Sequence, residues 1–258
     1  MSGKEKHRNL SMSRGADSWY KMIIEYDGSG FSGWQIQPEK RTIQGEIERA
    51  LKILFKEDVR IRAAGRTDAG VHALGQVASF QGCFLGNESR LCRSLNGLLP
   101  PEIRIIDVVK KGAFFDARAH AIARTYRYQI GRYPQAVGRD YIWTPYASFT
   151  VEPMRKAADS LLGEHDFTSF CKADTPGDNL VSRVLDVQWL ENSRMVIFEI
   201  KAIRFFHNMV RIIVGTLMDI GWGKRPVETV QSLLDARDRK QAGPTAPAKG
   251  LFLYTVHY

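Results

Sequence analysis

Nine residues, Ala64-Gly65-Arg66-Thr67-Asp68-Ala69-Gly70-Val71-His72, form the segment best suited to chemistry. Gly65 and Gly70 bracket a charged pair, Arg66 and Asp68, between two predicted strands. Glycine permits sharp turns and close approach of another molecule to the backbone, so an aspartate held between two of them is displayed rather than packed. A displayed carboxylate can attack an electrophilic carbon or accept a proton. The plainer alternative is an Asx turn, with Asp68 bonded to its own backbone and Arg66 a surface charge.

Two further segments supply groups that suit such a carboxylate. From Phe205 to Met218 the chain runs Phe-Phe-His-Asn-Met-Val-Arg-Ile-Ile-Val-Gly-Thr-Leu-Met, with Arg211 its one formally charged residue. Apolar residues lie nearly all round a helix of this sequence, which predicts burial on most sides. An arginine there either snorkels to a surface or meets a carboxylate, because an unpaired buried charge is costly. Asp68 is the natural partner. In Arg124-Thr125-Tyr126-Arg127-Tyr128, basic and aromatic residues alternate at strand spacing. Arg124, Tyr126 and Tyr128 would share one face and Thr125 and Arg127 the other. A phenol so placed can stack on a nucleic-acid base while arginines contact phosphates. The alternative is a solvated strand face with tyrosines at the edge of the core.

The elements that must position these groups fall into two similar halves. In the first, Lys21–Tyr26 alternates as a strand. Ile43, Ile47, Ala50, Leu51 and Leu54 then mark one helix face, with Thr42 as N-cap. Residues 59–63 and 75–80 read as strands, Leu91–Leu99 as a helix stopped by Pro100–Pro101, and Ile103–Val109 as a fourth strand. The second half repeats the order: strand 125–130, helix 154–162, strands 184–190 and 195–202, helix 205–220, a shorter helix at 227–236, and strand 251–258. Both spell β-α-β-β-α-β, the ferredoxin-like unit. The expectation is an α+β fold of two tandem ferredoxin-like halves forming one antiparallel sheet flanked by helices. A basic tail is expected over residues 1–18, one domain over 19–112 and a second over 113–258.

Composition narrows the partner. The chain has 258 residues, enough to bury a core without disulfide or metal staples, and its 44% hydrophobic and 25% charged residues suit a folded protein. Against 28 acidic side chains stand 37 Lys and Arg, a formal charge of +9 that favours a polyanion, nucleic acid before an anionic membrane surface. Cys83, Cys92 and Cys171 form no CxxC pair, and the six histidines are scattered without metal-ligand spacing, so neither a disulfide scaffold nor a metal site is expected. No apolar run approaches the roughly 18 residues of a membrane span, and residues 1–18 lack the apolar stretch of a secretory signal, which points to a cytoplasmic protein.

Together these segments resemble the bacterial tRNA pseudouridine synthase A family. Its G-R-T-D-A-G-V-H hallmark is reproduced at residues 65–72. In family order stand also Tyr26-Asp-Gly-Ser-Gly-Phe-Ser-Gly-Trp-Gln35, Thr42-Ile-Gln-Gly-Glu46, Arg124-Thr-Tyr126-Arg-Tyr, Gly163-Glu-His-Asp-Phe167, Met209-Val-Arg211 with Val214-Gly215, and Ala246-Pro-Ala-Lys-Gly-Leu251. The resemblance implies an enzyme that isomerises uridines 38, 39 and 40 of the tRNA anticodon stem-loop to pseudouridine, without cofactor or metal. It also implies a homodimer with a basic cleft between the domains of each subunit. Asp68 maps onto the nucleophile, Tyr126 onto the residue stacked on the target uracil, and Arg66 and Arg211 onto groups around the aspartate and the flipped base. Two other readings compete. One is a non-catalytic RNA-binding module of the same fold. The other is an RNA-acting hydrolase, which would need a second carboxylate such as Glu164, Asp174 or Asp178.

Overall fold

The computed structural model describes residues 18–172 and 179–258. The tail expected over residues 1–18, except Ser18, and the candidate carboxylates Asp174 and Asp178 lie outside the described residues.

Alternation sets the first strand, β1 (Ser18–Tyr26), whose Tyr20, Met22, Ile24 and Tyr26 are buried. Helix α1 (Ile43–Phe55) starts at Thr42, whose Oγ1 accepts from the Gly45 amide at 3.3 Å, and buries the predicted Ile43, Ile47, Ala50 and Leu51. The half continues through β2 (Arg62–Ala63), β3 (His72–Gly82), α2 (Glu88–Leu98) and β4 (Ile103–Lys111). The second half runs β5 (Ala123–Gly131), α3 (Val151–Asp159), β6 (Gly163–Asp166), β7 (Val181–Glu191), β8 (Met195–Ala202), α4 (Met209–Gly221), α5 (Thr229–Ala236) and β9 (Leu251–His257).

All the described strands belong to one nine-stranded sheet of order β4-β1-β3-β9-β5-β8-β7-β6, with β2 also paired to β3. The blocks β4-β1-β3-β2 and β9-β5-β8-β7 have the same relative order, as two ferredoxin-like units placed side by side require. The sheet is therefore continuous, but not wholly antiparallel as the element order had suggested. β9 joins β3 in parallel through His72↔Phe252 and Ala73↔Leu253, on the same edge that carries β2 further along at Ser79 and Ala78. Gly75 makes this junction possible: a Cβ there would lie 2.5 Å from the Tyr254 carbonyl oxygen.

Three local differences from the predicted elements matter. β2 spans only Arg62–Ala63 of the strand expected at 59–63, and β6 extends the sheet where no strand was expected. Helix α4 begins at Met209 rather than Phe205, because Asn208 adopts a left-handed conformation (φ 63°) that breaks the helical path. Past that turn, α4 is buried at every position from Met209 to Ile220 except Arg211 and Asp219, as the nearly all-apolar sequence predicts. Each fully buried Leu or Ile on it contributes roughly 1.5–3 kcal/mol relative to exposure.

Candidate active site

The Asp68 loop connects β2 to β3, and four anchors from the first half fix its backbone. Trp34 donates its amide to the Thr67 carbonyl at 3.0 Å. The buried Tyr26 hydroxyl lies 2.7 Å from Thr67 Oγ1, and Gln76 Nε2 donates to the Gly65 carbonyl at 2.9 Å. Within the loop, the Val71 amide donates to the Asp68 carbonyl at 3.2 Å. Gly33, at φ 90°, lets the 27–34 loop pass beneath: a Cβ there would meet the Thr67 oxygen at 2.8 Å. These bonds hold the main chain and leave the Asp68 side chain pointing out of the loop. The Asx-turn alternative does not describe it, since among the described residues no backbone amide donates to its carboxylate.

That carboxylate meets the other half of the molecule. Arg211 Nη1 lies 3.5 Å from Oδ2, and His207 Nε2 lies 3.2 Å from Oδ1. Arg211 thus faces a carboxylate rather than snorkelling outward, and its side chain is only 18% exposed. Its guanidinium is aimed by two more bonds, Nε to the Ala246 carbonyl at 2.7 Å and Nη1 to Asn208 Oδ1 at 2.8 Å. The same Asn208 that ends the helical path therefore braces the arginine.

Asp68 and His207 line a cleft of about 1140 Å³ between the halves, with the Asp68 loop on one side, Tyr126 and residues 203–210 on the other, and Arg211 adjoining through its contact with Asp68. The lining carries Lys40, Arg62, Arg66, Arg118, Arg124 and Arg204 against two acids, Asp68 and Asp116, so the cleft is basic. Arg66 is exposed and has no hydrogen-bond or ion-pair partner among the described residues. Tyr126 is buried to 7% exposure and packs edge-on with Phe205, ring centroids 4.8 Å apart. Burial pushes its hydroxyl pKa well above the ordinary phenol value, with Tyr26 and Asp68 adding to the effect. A neutral ring in this position offers a flat apolar surface beside the carboxylate.

The neighbouring arginines are not free for phosphates as the strand pattern had suggested. Arg127 lies on the opposite face, paired with Glu199 at 2.5 Å and stacked 3.3 Å from the Tyr254 ring. Arg124 spends its guanidinium on carbonyls: Nη2 donates to Ala64 at 2.7 Å and Arg118 at 3.2 Å, Nη1 to Ile203 at 3.0 Å and Ala121 at 3.3 Å. It clips the start of the Asp68 loop to the far wall of the cleft. Arg124→Met is therefore expected to cost about 3 kcal/mol of stability, since hydrogen bonds to a charged group contribute roughly 1.5–3 kcal/mol each and four acceptors lose their donor. Urea unfolding of the two proteins side by side measures it.

The cleft's second acid is already committed. Asp116 accepts from the Arg118 and Ala119 amides at 2.8 and 3.0 Å and from Arg62 at 2.8 Å. Burial alone pushes its carboxyl up, but the Ala119 amide and Arg62 together hold it below the usual carboxylate range. An acid kept ionised in this way is unsuited to donating a proton. Glu164 is in β6, at the far edge of the sheet, paired with Arg183 at 3.4 Å.

Comparison with known proteins gives the site its family. A profile described as tRNA pseudouridine synthase matches residues 22–118 and 157–258. The chain belongs to the tRNA pseudouridine synthase family. The tRNA pseudouridine synthase A of Geobacillus kaustophilus is 44% identical over 245 residues, covering 92% of this chain and 93% of that protein. Those of Bacillus subtilis and Moorella thermoacetica are each 42% identical over 242 residues, covering 92% of this chain and 98% of theirs. Within this pseudouridine synthase fold, Asp68, Tyr126, Arg66 and Arg211 all line or adjoin one cleft. Sequence reasoning missed His207. No local pattern marked it: His207 precedes α4, and it is the left-handed Asn208 rather than helical spacing that brings it and Arg211 to the same carboxylate.

Proposed function

We propose that this protein isomerises uridines 38, 39 and 40 of the tRNA anticodon stem-loop to pseudouridine, with Asp68 as the attacking group. The observation that carries the reading is the Asp68 carboxylate, presented from one half of the molecule into a basic cleft and met there by Arg211 of the other half. Membership of the tRNA pseudouridine synthase family supports the substrate class, and the resemblance to the synthase A branch supports the three positions.

The reaction breaks the C1′–N1 bond and forms a C1′–C5 bond, the C5 hydrogen leaves as a proton, and N1 takes up one proton, so that the product is an isomer of the substrate. The base must be released from one bond yet kept in place, which asks for an enclosed site rather than an open surface. A stacked uridine is out of reach, so the nucleotide has to flip out, at a cost of a few kcal/mol. Arg66, exposed and unpartnered among the described residues, is suited to filling the vacated stack. Tyr126 offers its ring to the flipped uracil, and Arg211 orients the carboxylate and lies beside the entering base. The cycle balances with no cofactor or metal ion. In the same reading the protein acts as a homodimer, as the family resemblance implies.

The test is tritium release from anticodon stem-loop RNA labelled at uridine C5. Isomerisation must expel that hydrogen, whereas RNA binding and glycoside hydrolysis leave it on the ring. Release by the wild-type protein is the expected result. A folded protein that binds the RNA and releases nothing would sink the proposal in favour of a binding module.

A further inference from the structure

We propose that His207 is a positioning residue for Asp68: its ring restrains carboxylate oxygen Oδ1 from the opposite wall of the cleft. The contact stands on geometry alone, and its effect on turnover rests on the synthase reading above.

Among the described residues two basic side chains come within 4 Å of the Asp68 carboxylate, and His207 is the nearer, at 3.2 Å against 3.5 Å for Arg211. Arg211 already gives its Nε to Ala246 and shares Nη1 with Asn208, so its charge is anchored to its own half and only approaches Oδ2. The backbone of the Asp68 loop is fixed, but rotation about the side chain's own bonds is not. One ion contact on one oxygen leaves the plane of a carboxylate free to turn, while contacts on both oxygens do not. His207 supplies the second. It is held for this purpose: its carbonyl accepts from the Lys172 amide at 3.1 Å, and the left-handed Asn208 turns the chain so that residues 207 and 211 both reach Asp68. Placing an attacking group within an ångström of its target is worth on the order of 100-fold in rate.

A half-exposed histidine in a basic cleft could instead contact an RNA phosphate, and the two roles separate experimentally. His207→Ala is expected to lower the single-turnover rate at saturating stem-loop RNA by about 10- to 100-fold, with the dissociation constant within about threefold of wild type. His207→Gln, whose amide nitrogen reaches about as far and can also contact a carboxylate oxygen, is expected to recover most of that rate. Weakened RNA binding with an unchanged rate would overturn the proposal, as would equal losses in the Ala and Gln variants. A third measurement needs no activity. The ring-nitrogen NMR resonances of His207 should move when Asp68 becomes Asn, and their failure to move would refute the contact. If the wild type released no tritium, the synthase reading would fall while this comparison still decided the contact.

Discussion

Asp68→Asn is expected to abolish tritium release from uridine C5, by on the order of 1,000-fold or more, and to leave RNA affinity within a few-fold of wild type. Asparagine keeps the shape and one oxygen of the side chain but loses the charge that the proposed attack needs. Its loop does not depend on that charge: the anchors are main-chain bonds of Trp34 and Val71 and side-chain bonds of Tyr26 and Gln76. Arg211 also keeps its bonds to Ala246 and Asn208, so the loss is expected to be chemical rather than structural, and an unfolding curve close to wild type checks this. Affinity is expected to rest on the cations of the cleft that are not committed to carbonyls, because phosphate contacts dominate RNA binding. A variant that kept more than a few per cent of turnover would show that some other group attacks. One that lost both binding and turnover would make Asp68 a structural residue.

The second large effect is expected at a position with no functional group. Gly28 approaches the end of the Asp68 loop so closely that a Cβ on it would lie 2.0 Å from the Val71 carbonyl oxygen and 2.7 Å from its carbon. Neither side can yield cheaply. Gly28 donates its amide to His72 Nδ1 at 3.1 Å, and Val71 is tied back to Asp68 at 3.2 Å. Gly28→Ala is thus expected to cost about 3 kcal/mol, the upper end of overpacking, seen as a lower urea midpoint. Because the displaced segment carries Asp68, the surviving folded protein should turn over about 100-fold more slowly. Gly97, exposed near the end of α2, would place a new methyl group in open space with nothing within 4 Å, and so serves as control for the same exchange. Wild-type stability and rate in Gly28→Ala would mean that the two loops are not held as tightly as their spacing indicates.

Much of the site was legible because its residues break local rules. An arginine alone in an apolar helix has to be paired, and Arg211 faces Asp68 across the cleft. Glycines on both sides of a charged pair mark a displayed loop, and Gly70 does adopt φ 75°. The helices were legible through their apolar faces and through Thr42 as cap. The work of Arg124 was not, because its four acceptors are main-chain carbonyls, which every residue carries and no side-chain pattern marks. The late start of α4 was hidden too: Asn208 is an acceptable helix residue, and only its bond to Arg211 and the needs of the cleft select the left-handed turn. The parallel join of β3 to β9 lies beyond local patterning altogether, since it depends on how two finished halves meet.

That join also orders events in time. His72 and Ala73 pair with Phe252 and Leu253, 180 residues further along the chain, and pairing over so long a separation is among the slower steps a fold can require. His72 ends the loop that carries Asp68, while Ala246, which aims Arg211, lies just before β9. An emerging polypeptide can complete its first β-α-β-β-α-β unit and display the aspartate long before Arg211 or its brace has been synthesised. Docking of β9 then assembles the reactive group in a single late step. A partly made or partly unfolded chain accordingly exposes a carboxylate with neither its partner arginine nor the far wall of its cleft, and it has no means of holding a detached base.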